Sequence, residues 1–245
     1  MMKRRRFIQN TLLTTAAVTT FPQLLKANTG LPETELLGRG NPVLTEKSGY
    51  RLRPEAAEAF DRMAAAAKKE GIGIQVVSSY RDYAHQNRIW ERKYKDYKAG
   101  GMAPLVAIEK IIEYSTIPGT SRHHWATDLD IIQAGTGVTN NVLDPDKFHG
   151  TGPFCALKAW LEENAESFGF YEVYTNAYGR KGFKYEPWHF SYAPLSRNYL
   201  KDYKKLDIAQ ILQQKNLMGS DAFTSAFIEK YRTENILDIN PKLLK

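Results

Sequence analysis

The sequence is almost without cysteine, since Cys155 is the only one among 245 residues. A single cysteine excludes an internal disulfide bond and any metal cluster held by several thiolates, whatever the redox state of the compartment. Cys155 falls in a helical pattern, where a small core residue is the ordinary interpretation. A hydrolase with Cys155 as its nucleophile is the alternative, but none of the histidine motifs described below lies near it.

Acidic side chains are absent from the first 27 residues, which carry five basic ones, at Lys3, Arg4, Arg5, Arg6 and Lys26. The net charge of the whole chain is +7, so about +2 remains when these five are set aside. The basic balance therefore belongs mainly to this leader and not to a binding face. Nucleic acid is excluded as an expected partner.

Long apolar runs are also missing. The run from Thr11 to Leu25 is only mildly apolar and is too short and too polar for a stable membrane span. It follows the pair Arg4 and Arg5, and this order resembles a twin-arginine leader with a small residue, Ala27, at a plausible cleavage point. Residues 1–27 are thus predicted to be a signal peptide that the twin-arginine machinery exports to the periplasm or cell envelope, leaving no stable membrane span. An uncleaved anchor and an ordinary secretory signal are the alternatives.

Hydrophobic periodicity after the leader predicts an α+β fold, with helices packed on a small antiparallel sheet. Residues 28–53 lack a clear period and are expected to form an irregular arm, 54–196 the central domain and 197–245 a helical C-terminal extension. Within the domain, the sequence predicts helices at about 54–70, 81–97, 106–114 and 153–166, and strands at 72–80, 127–132, 169–175, 182–185 and 188–192. No internal repeat or low-complexity tract occurs.

Two amphipathic patterns in the extension are expected to pack on the domain, with a partner-binding or cleft-covering role as the alternative. They are formed by Ile208, Ile211 and Leu212, and by Phe223, Phe227, Ile228 and Tyr231.

The chemistry centres on two of the five histidines. In SRHHWATDLDII, His123 lies in a loop and Asp130 on the strand that leaves it, while YEPWHFSY contains Glu186 and His189. Zinc in hydrolases is usually held by three such ligands, with a fourth place left for water. His123, Asp130 and His189 supply that set, and Glu186 is the candidate general base and acid. Because strand alternation would separate Glu186 from His189, a bulge or bend is expected at Pro187.

Three motifs in this order resemble those of the zinc D-alanyl-D-alanine and L,D-carboxypeptidases of the VanY type, which are LAS metallopeptidases, over roughly Leu52 to Leu195. They are Ser78, Tyr80, Arg81 and Gln86; Ser121, His123 and Asp130; and Glu186 and His189. The resemblance implies one zinc ion, and it implies that Arg81 stabilises the negative charge that develops on the scissile carbonyl oxygen. It also makes Ser121 and Gln86 candidates for substrate binding. Tyr80 and Trp125 are aromatic neighbours of the motifs that could contact substrate, with core packing beneath the site as the alternative.

The sequence departs from the family pattern at two positions of the middle motif. Ala126 stands where glycine is usual, which matters only if the backbone there has a positive φ. Asp128 stands where alanine is usual and could hydrogen-bond a ligand histidine. His124 is expected to line the cleft, whereas His85 and His149 are expected to be structural.

These expectations converge on a zinc carboxypeptidase that removes the terminal D-alanine from peptidoglycan stem peptides. An endopeptidase with the same metal site is one alternative. A non-catalytic zinc protein that binds wall fragments is another, against which the presence of both Glu186 and Arg81 argues. The basic turn from Arg180 to Lys184 is expected to be a solvated hairpin that could also guide an anionic substrate.

Overall fold

The computed structural model describes residues 30–214 and 216–245, and its centre is a four-stranded antiparallel sheet in the order β3, β4, β6, β5. The strands are β3 Ile74–Ser78, β4 Asp128–Gln133, β5 Phe170–Glu172 and β6 His189–Tyr192, and a separate hairpin contains β1 Thr45–Lys47 and β2 Tyr50–Leu52. The α-helices are α1 Glu33–Leu36, α2 Pro54–Lys69, α3 Tyr83–Ala99, α4 Pro104–Ile111, α5 Cys155–Asn164, α6 Ala193–Tyr203, α7 Ile208–Leu212 and α8 Ser225–Tyr231. The predicted α+β class is confirmed.

The alternating sequence of β4 separates its two faces as expected. Leu129 and Ile131 are fully buried in a hydrophobic cluster with side chains of α2 and α5. Asp128 and Asp130 are buried on the opposite face, where apolar partners are replaced by histidine and arginine. The sheet therefore has an apolar side that packs in the core and a charged side that holds the candidate site residues.

Helix α2 packs on the apolar side through the predicted stripe of Phe60, Met63 and Ala67. Pro54 occupies its first turn, where a missing backbone N–H costs nothing. Helix α5 adds Leu157, Trp160 and Leu161 to the same cluster.

The N-terminal segment is more regular than the expected arm, because it contains α1 and the β1–β2 hairpin. Gly49, with φ of 96°, allows the tight hairpin turn. Tyr50 and Leu52 then turn into the core against α2, which a polarity pattern over three residues could not predict.

The strand predicted at 182–185 is wrong. Its backbone amides bond to other elements: Gly182 donates to the carboxylate of Asp238, and Lys184 donates to the carbonyl of Glu113. Gly182 also lies so close to the backbone of Glu234 that a β-carbon there would clash. Contacts with distant segments thus replace the sheet pairing that the local sequence favours.

The C-terminal helices pack on the domain, as expected from their two amphipathic patterns. Ile208, Ile211 and Leu212 are buried, and so are Phe223, Ile228 and Tyr231, while Phe227 is partly buried against them. They share one hydrophobic cluster with Trp90 of α3 and Trp125.

Two tyrosines of these helices hold the loop that precedes His123. Tyr231 accepts a hydrogen bond from the amide of Ile117 (3.0 Å) and is bonded to Thr120 (2.8 Å). Tyr203 donates to the carbonyl of Gly119 (2.9 Å). The extension therefore braces a segment of the central domain.

The predicted leader, residues 1–27, lies outside the described residues. Within residues 30–214 and 216–245, no helix combines the length and apolar character needed to cross a membrane. The division at 196/197 stays a prediction, and α6 runs across it.

Ala126 adopts the left-handed conformation, with φ of 57° and ψ of 33°. It ends a 3-10 turn over Arg122–Trp125, and its carbonyl accepts the amide of Arg53 (2.9 Å). An L-residue other than glycine pays about 1–2 kcal/mol in this region. The positive φ is the circumstance in which replacing the usual glycine by alanine matters.

We predict that Ala126→Gly changes the free energy of unfolding by no more than about 0.5 kcal/mol, because relief of backbone strain offsets the lost methyl burial and the added flexibility of glycine. Chemical denaturation measures this. The matched control is Ala59→Gly, an equally buried alanine inside α2. This control should cost about 2 kcal/mol, since no strain is relieved. Equal losses at both positions would contradict the prediction.

Candidate active site

Three side chains from two distant segments of the chain converge on the charged side of the sheet. His123 is in the 3-10 turn before β4, Asp130 is in β4, and His189 opens β6. Asp130 and His189 are direct partners in the β4–β6 register. One ligand atom from each of the three lies within 4.8 Å of the others, and all three residues are buried.

Hydrogen bonds determine which ring nitrogen of each histidine faces the cluster. His123 donates from Nδ1 to the carbonyl of Ser79 (2.8 Å), which leaves the Nε2 lone pair facing Asp130 at 3.3 Å. His189 donates from Nε2 to Asp128 (3.0 Å), which leaves Nδ1 facing Asp130 at 3.8 Å. A ligand histidine is commonly oriented by such a bond from its other nitrogen.

The donor set fits a metal ion. His123 Nε2 and Asp130 Oδ1 are buried without a hydrogen-bond partner. Buried polar atoms are normally paired, so two unpaired atoms within one cluster of possible ligands call for an occupant. Two imidazoles and a carboxylate are the ligand types that zinc takes in hydrolases.

Asp128 supports this set from behind. Its carboxylate accepts four hydrogen bonds, from Arg122 (2.9 Å), His189 (3.0 Å), Thr127 (2.8 Å) and Ser191 (2.7 Å). Burial opposes its ionisation, but Arg122 and His189 hold the pKa of Asp128 far below its ordinary value. Asp128, one of the two departures from the usual motif, is therefore an ionised anchor for His189, and the hydrogen bond to a histidine that the sequence suggested is present.

Glu186 lies beside the cluster because the chain bends at Pro187. The amide of His189 donates to the Glu186 carbonyl (3.1 Å), which closes a turn before β6 begins. The bend expected at Pro187 is confirmed. The turn places Glu186 Oε2 at 3.0 Å from His189 Nδ1. Burial raises the pKa of Glu186, and the neighbouring His189 partly counteracts this.

The site concentrates several ionisable side chains that are buried. Burial lowers the pKa of His123, and nearby Arg81 lowers it further. Burial disfavours the charged form of His189 as well, yet the surrounding carboxylates of Asp128 and Glu186 raise its pKa to about 9. Burial likewise opposes ionisation of Asp130, but the two imidazoles bring its pKa to about 2.

Arg81 is clamped at backbone and side chain. Its amide donates to the His123 carbonyl (3.2 Å), and its carbonyl accepts from His124 (2.7 Å). Its guanidinium donates to Gln86 (3.0 Å) and approaches Asp130 at 3.8 Å, while Nε is buried without a partner. Burial lowers the pKa of Arg81, although a guanidinium stays protonated in proteins. The side chain is a fixed cation next to the cluster.

A cleft of about 590 Å³ opens over these groups. Ser121 lines it, and its hydroxyl is buried without a partner. Other lining residues are Ile89, Arg92, Lys93, Tyr114, Arg122, Tyr174, Phe183 and Trp188.

Three of the predicted substrate-binding residues do not line this cleft. Gln86 is fully buried and spans from Arg81 to the carbonyl of Thr116 (2.9 Å), so it positions the arginine. Trp125 is in the hydrophobic core and donates to the carbonyl of Leu36. Tyr80 is buried beneath the guanidinium of Arg51.

His124 was expected to line the cleft, and this is wrong. It is fully buried, with Nδ1 bonded to the Arg81 carbonyl and Nε2 accepting the Gly119 amide (3.2 Å). Burial lowers its pKa to about 3, so it is neutral. Its role in the structure is to hold the backbone of Arg81.

The other candidates lie outside the site. His149 bonds to Tyr185 (3.0 Å), and Cys155 is half-buried with its sulfur near the Gly150 carbonyl. The basic turn is not freely solvated, because Arg180 donates to the carbonyl of Asp238 (2.8 Å) and Lys184 pairs with Glu113 (2.9 Å).

Arg122 is the site residue that the motif comparison missed. It is buried, bonds to Asp128 and Ser191 (2.6 Å), and lies over the ring of Trp125. The available signal was the unusual Asp128, because a buried extra carboxylate requires a cation, and Arg122 is the nearest one in sequence.

Known proteins match the part of the chain that contains the candidate site residues. A sequence model of the family described as VanY, D-alanyl-D-alanine carboxypeptidase, matches residues 49–195. A D-alanyl-D-alanine carboxypeptidase of Enterococcus faecalis is 30% identical over 148 residues, which cover 60% of this chain and 48% of that relative. The chain thus spans about half the length of this curated relative.

Two solved structures are similar in fold. A mutant of the vancomycin resistance D,D-pentapeptidase VanY, in complex with Zn(II), is 27% identical with a TM-score of 0.51, over 67% of this chain and 85% of that one. The LdcB LD-carboxypeptidase is 28% identical with a TM-score of 0.51, over 69% of this chain and 77% of that one.

We predict that Asp128→Asn weakens binding of a divalent metal ion by about 10- to 100-fold, because His189 loses the carboxylate that orients it. Competition with a chromogenic chelator measures the dissociation constant. His123→Ala, which removes a ligand, should abolish binding, and His149→Ala, outside the cluster, should leave it unchanged. An Asp128→Asn protein that folds and binds metal as tightly as the wild type would contradict the prediction.

Proposed function

Because the chain belongs to the VanY family of D-alanyl-D-alanine carboxypeptidases, we propose that it is a zinc-dependent carboxypeptidase of peptidoglycan stem peptides. It removes a terminal D-alanine by hydrolysis. The observation that carries this proposal is the buried trio of His123, Asp130 and His189, with Glu186 at 3.0 Å from one of its imidazoles.

His123 Nε2, His189 Nδ1 and the Asp130 carboxylate would hold the zinc ion. Zinc in such a site lowers the pKa of a water toward ~7 and polarises a carbonyl. The known zinc complex of the VanY relative supports this choice of metal.

Glu186 carries the proton in the proposed reaction. Its carboxylate takes a proton from the attacking water and returns it to the nitrogen of the leaving D-alanine. Burial raises the pKa of Glu186, which makes the carboxylate a better base than an exposed glutamate.

Arg81 stabilises the charge that develops on the carbonyl oxygen of the scissile bond. Its guanidinium is fixed by Gln86 and by the backbone bonds to His123 and His124, so little reorganisation is needed during the reaction. Ser121, with an unpaired hydroxyl in the cleft, is the proposed hydrogen-bond partner of the substrate.

The proposed location is the periplasm or cell envelope, reached through the twin-arginine pathway. The leader motif supports this, since Arg4 and Arg5 precede a mildly apolar run. Peptidoglycan is the matching substrate there.

Digestion of purified muropeptides, with and without a chelator, tests the function. We expect chelator-sensitive loss of single D-alanine residues, detected by mass spectrometry on defined tri-, tetra- and pentapeptides. Cleavage between internal stem residues would indicate the endopeptidase alternative. Zinc-dependent binding of fragments without cleavage would indicate a wall-binding protein.

We predict that Glu186→Gln keeps zinc and lowers kcat by on the order of 10³-fold, because the amide cannot move the proton. Metal analysis and steady-state kinetics measure the two quantities. The matched control is Glu166→Gln, an exposed glutamate outside the cleft, which should behave like the wild type. Near-normal turnover by the Glu186→Gln protein would refute the assigned role.

A further inference from the structure

One face of α3 lines the cleft with side chains that the proposed mechanism does not use. Arg92 and Lys93 follow Ile89 by three and four residues, so both lie next to it on this face. Gln86, which holds Arg81, lies on the same face one turn earlier. The helix therefore runs along the cleft away from the reaction centre.

The two cations on this face are not neutralised by a direct ion pair among the described residues, although the charge of Glu186 acts on Lys93. Within residues 30–214 and 216–245, neither Arg92 nor Lys93 forms an ion pair, whereas the neighbouring Lys95 pairs with Glu91 (3.3 Å). The ammonium of Lys93 is held by the hydroxyl of Ser115 at 2.6 Å. Burial lowers its pKa, and the adjacent Arg92 adds to this effect. Such a cation gains from an anion that enters the cleft.

The helix gives the backbone separation of this pair from Gln86, the residue that holds Arg81. Seven residues separate Gln86 from Lys93, which is roughly 10 Å along the axis at 1.5 Å per residue. An extended peptide advances about 3.3–3.6 Å per residue, so this separation corresponds to roughly three residues of a bound peptide. A carboxypeptidase has a single residue on the leaving side, so this length of substrate precedes the cleaved bond.

We propose that Arg92 and Lys93 form a subsite for a substrate carboxylate carried by the second or third residue before the cleaved bond. The preferred substrate is thus an acidic peptide. The inference rests on the proposed function and adds a specificity determinant to it. In a stem peptide, a free α-carboxylate on a γ-linked D-glutamate meets this requirement, and its carboxamide form does not.

The test uses two pentapeptides that differ only at this D-glutamate, with a free α-carboxylate in one and a carboxamide in the other. For the wild-type zinc enzyme, kcat/KM should be about tenfold higher for the acid, mainly through KM. In Lys93→Gln the ratio should fall to within about twofold, and in Arg92→Gln it should fall partway, because Arg92 is more exposed. Lys95→Gln, on the same helix but outside the cleft, is the matched control and should keep the wild-type ratio.

Added salt gives a readout that needs no variant, since the acid preference of the wild type should shrink as ionic strength rises. Equal kcat/KM for both peptides, or an unchanged ratio in a folded Lys93→Gln protein, would overturn the subsite while leaving the carboxypeptidase intact. Absence of chelator-sensitive D-alanine release from either peptide would instead be a failure of the proposed function.

Discussion

The buried carboxylate of Asp128 is the constraint on which the candidate site depends. An ionised group with no solvent contact must have its charge and lone pairs satisfied by the protein. Arg122 supplies the charge, and the hydroxyls of Thr127 and Ser191 supply further donors. The remaining bond goes to Nε2 of His189 and orients the ring, so that Nδ1 is the nitrogen that faces Asp130 and Glu186. His123 reaches the same condition through a backbone carbonyl, that of Ser79.

The sheet turns this local chemistry into a site. Antiparallel pairing sets Asp130 opposite His189 and, on the other side, opposite Ser78 at the end of β3. A register shift of one residue would move both aspartates of β4 to the apolar face. The packing of Leu129 and Ile131 against α2 and α5 therefore fixes the site indirectly.

The sequence could predict what depends on local pattern. The alternation in β4, the stripe of α2 and the bend at Pro187 follow from period, turn chemistry and the steric demands of proline. The contents of the cleft wall depend on tertiary packing, which is why Trp125 and His124 were assigned to it and lie elsewhere. Segments that pair with distant parts of the chain, such as 182–185, gave a misleading local signal.

The loop at 117–120 is held by Tyr203 and Tyr231, which lie much later in the chain than the histidine it precedes. Docking of the C-terminal helices and closure of this loop are thus coupled through these hydrogen bonds. A nascent polypeptide that has completed only the sheet still lacks the bonds that hold the loop before His123, so the candidate site is fully supported only after long-range assembly. Proteolytic loss of the last helices would then remove this support without touching any residue of the cleft.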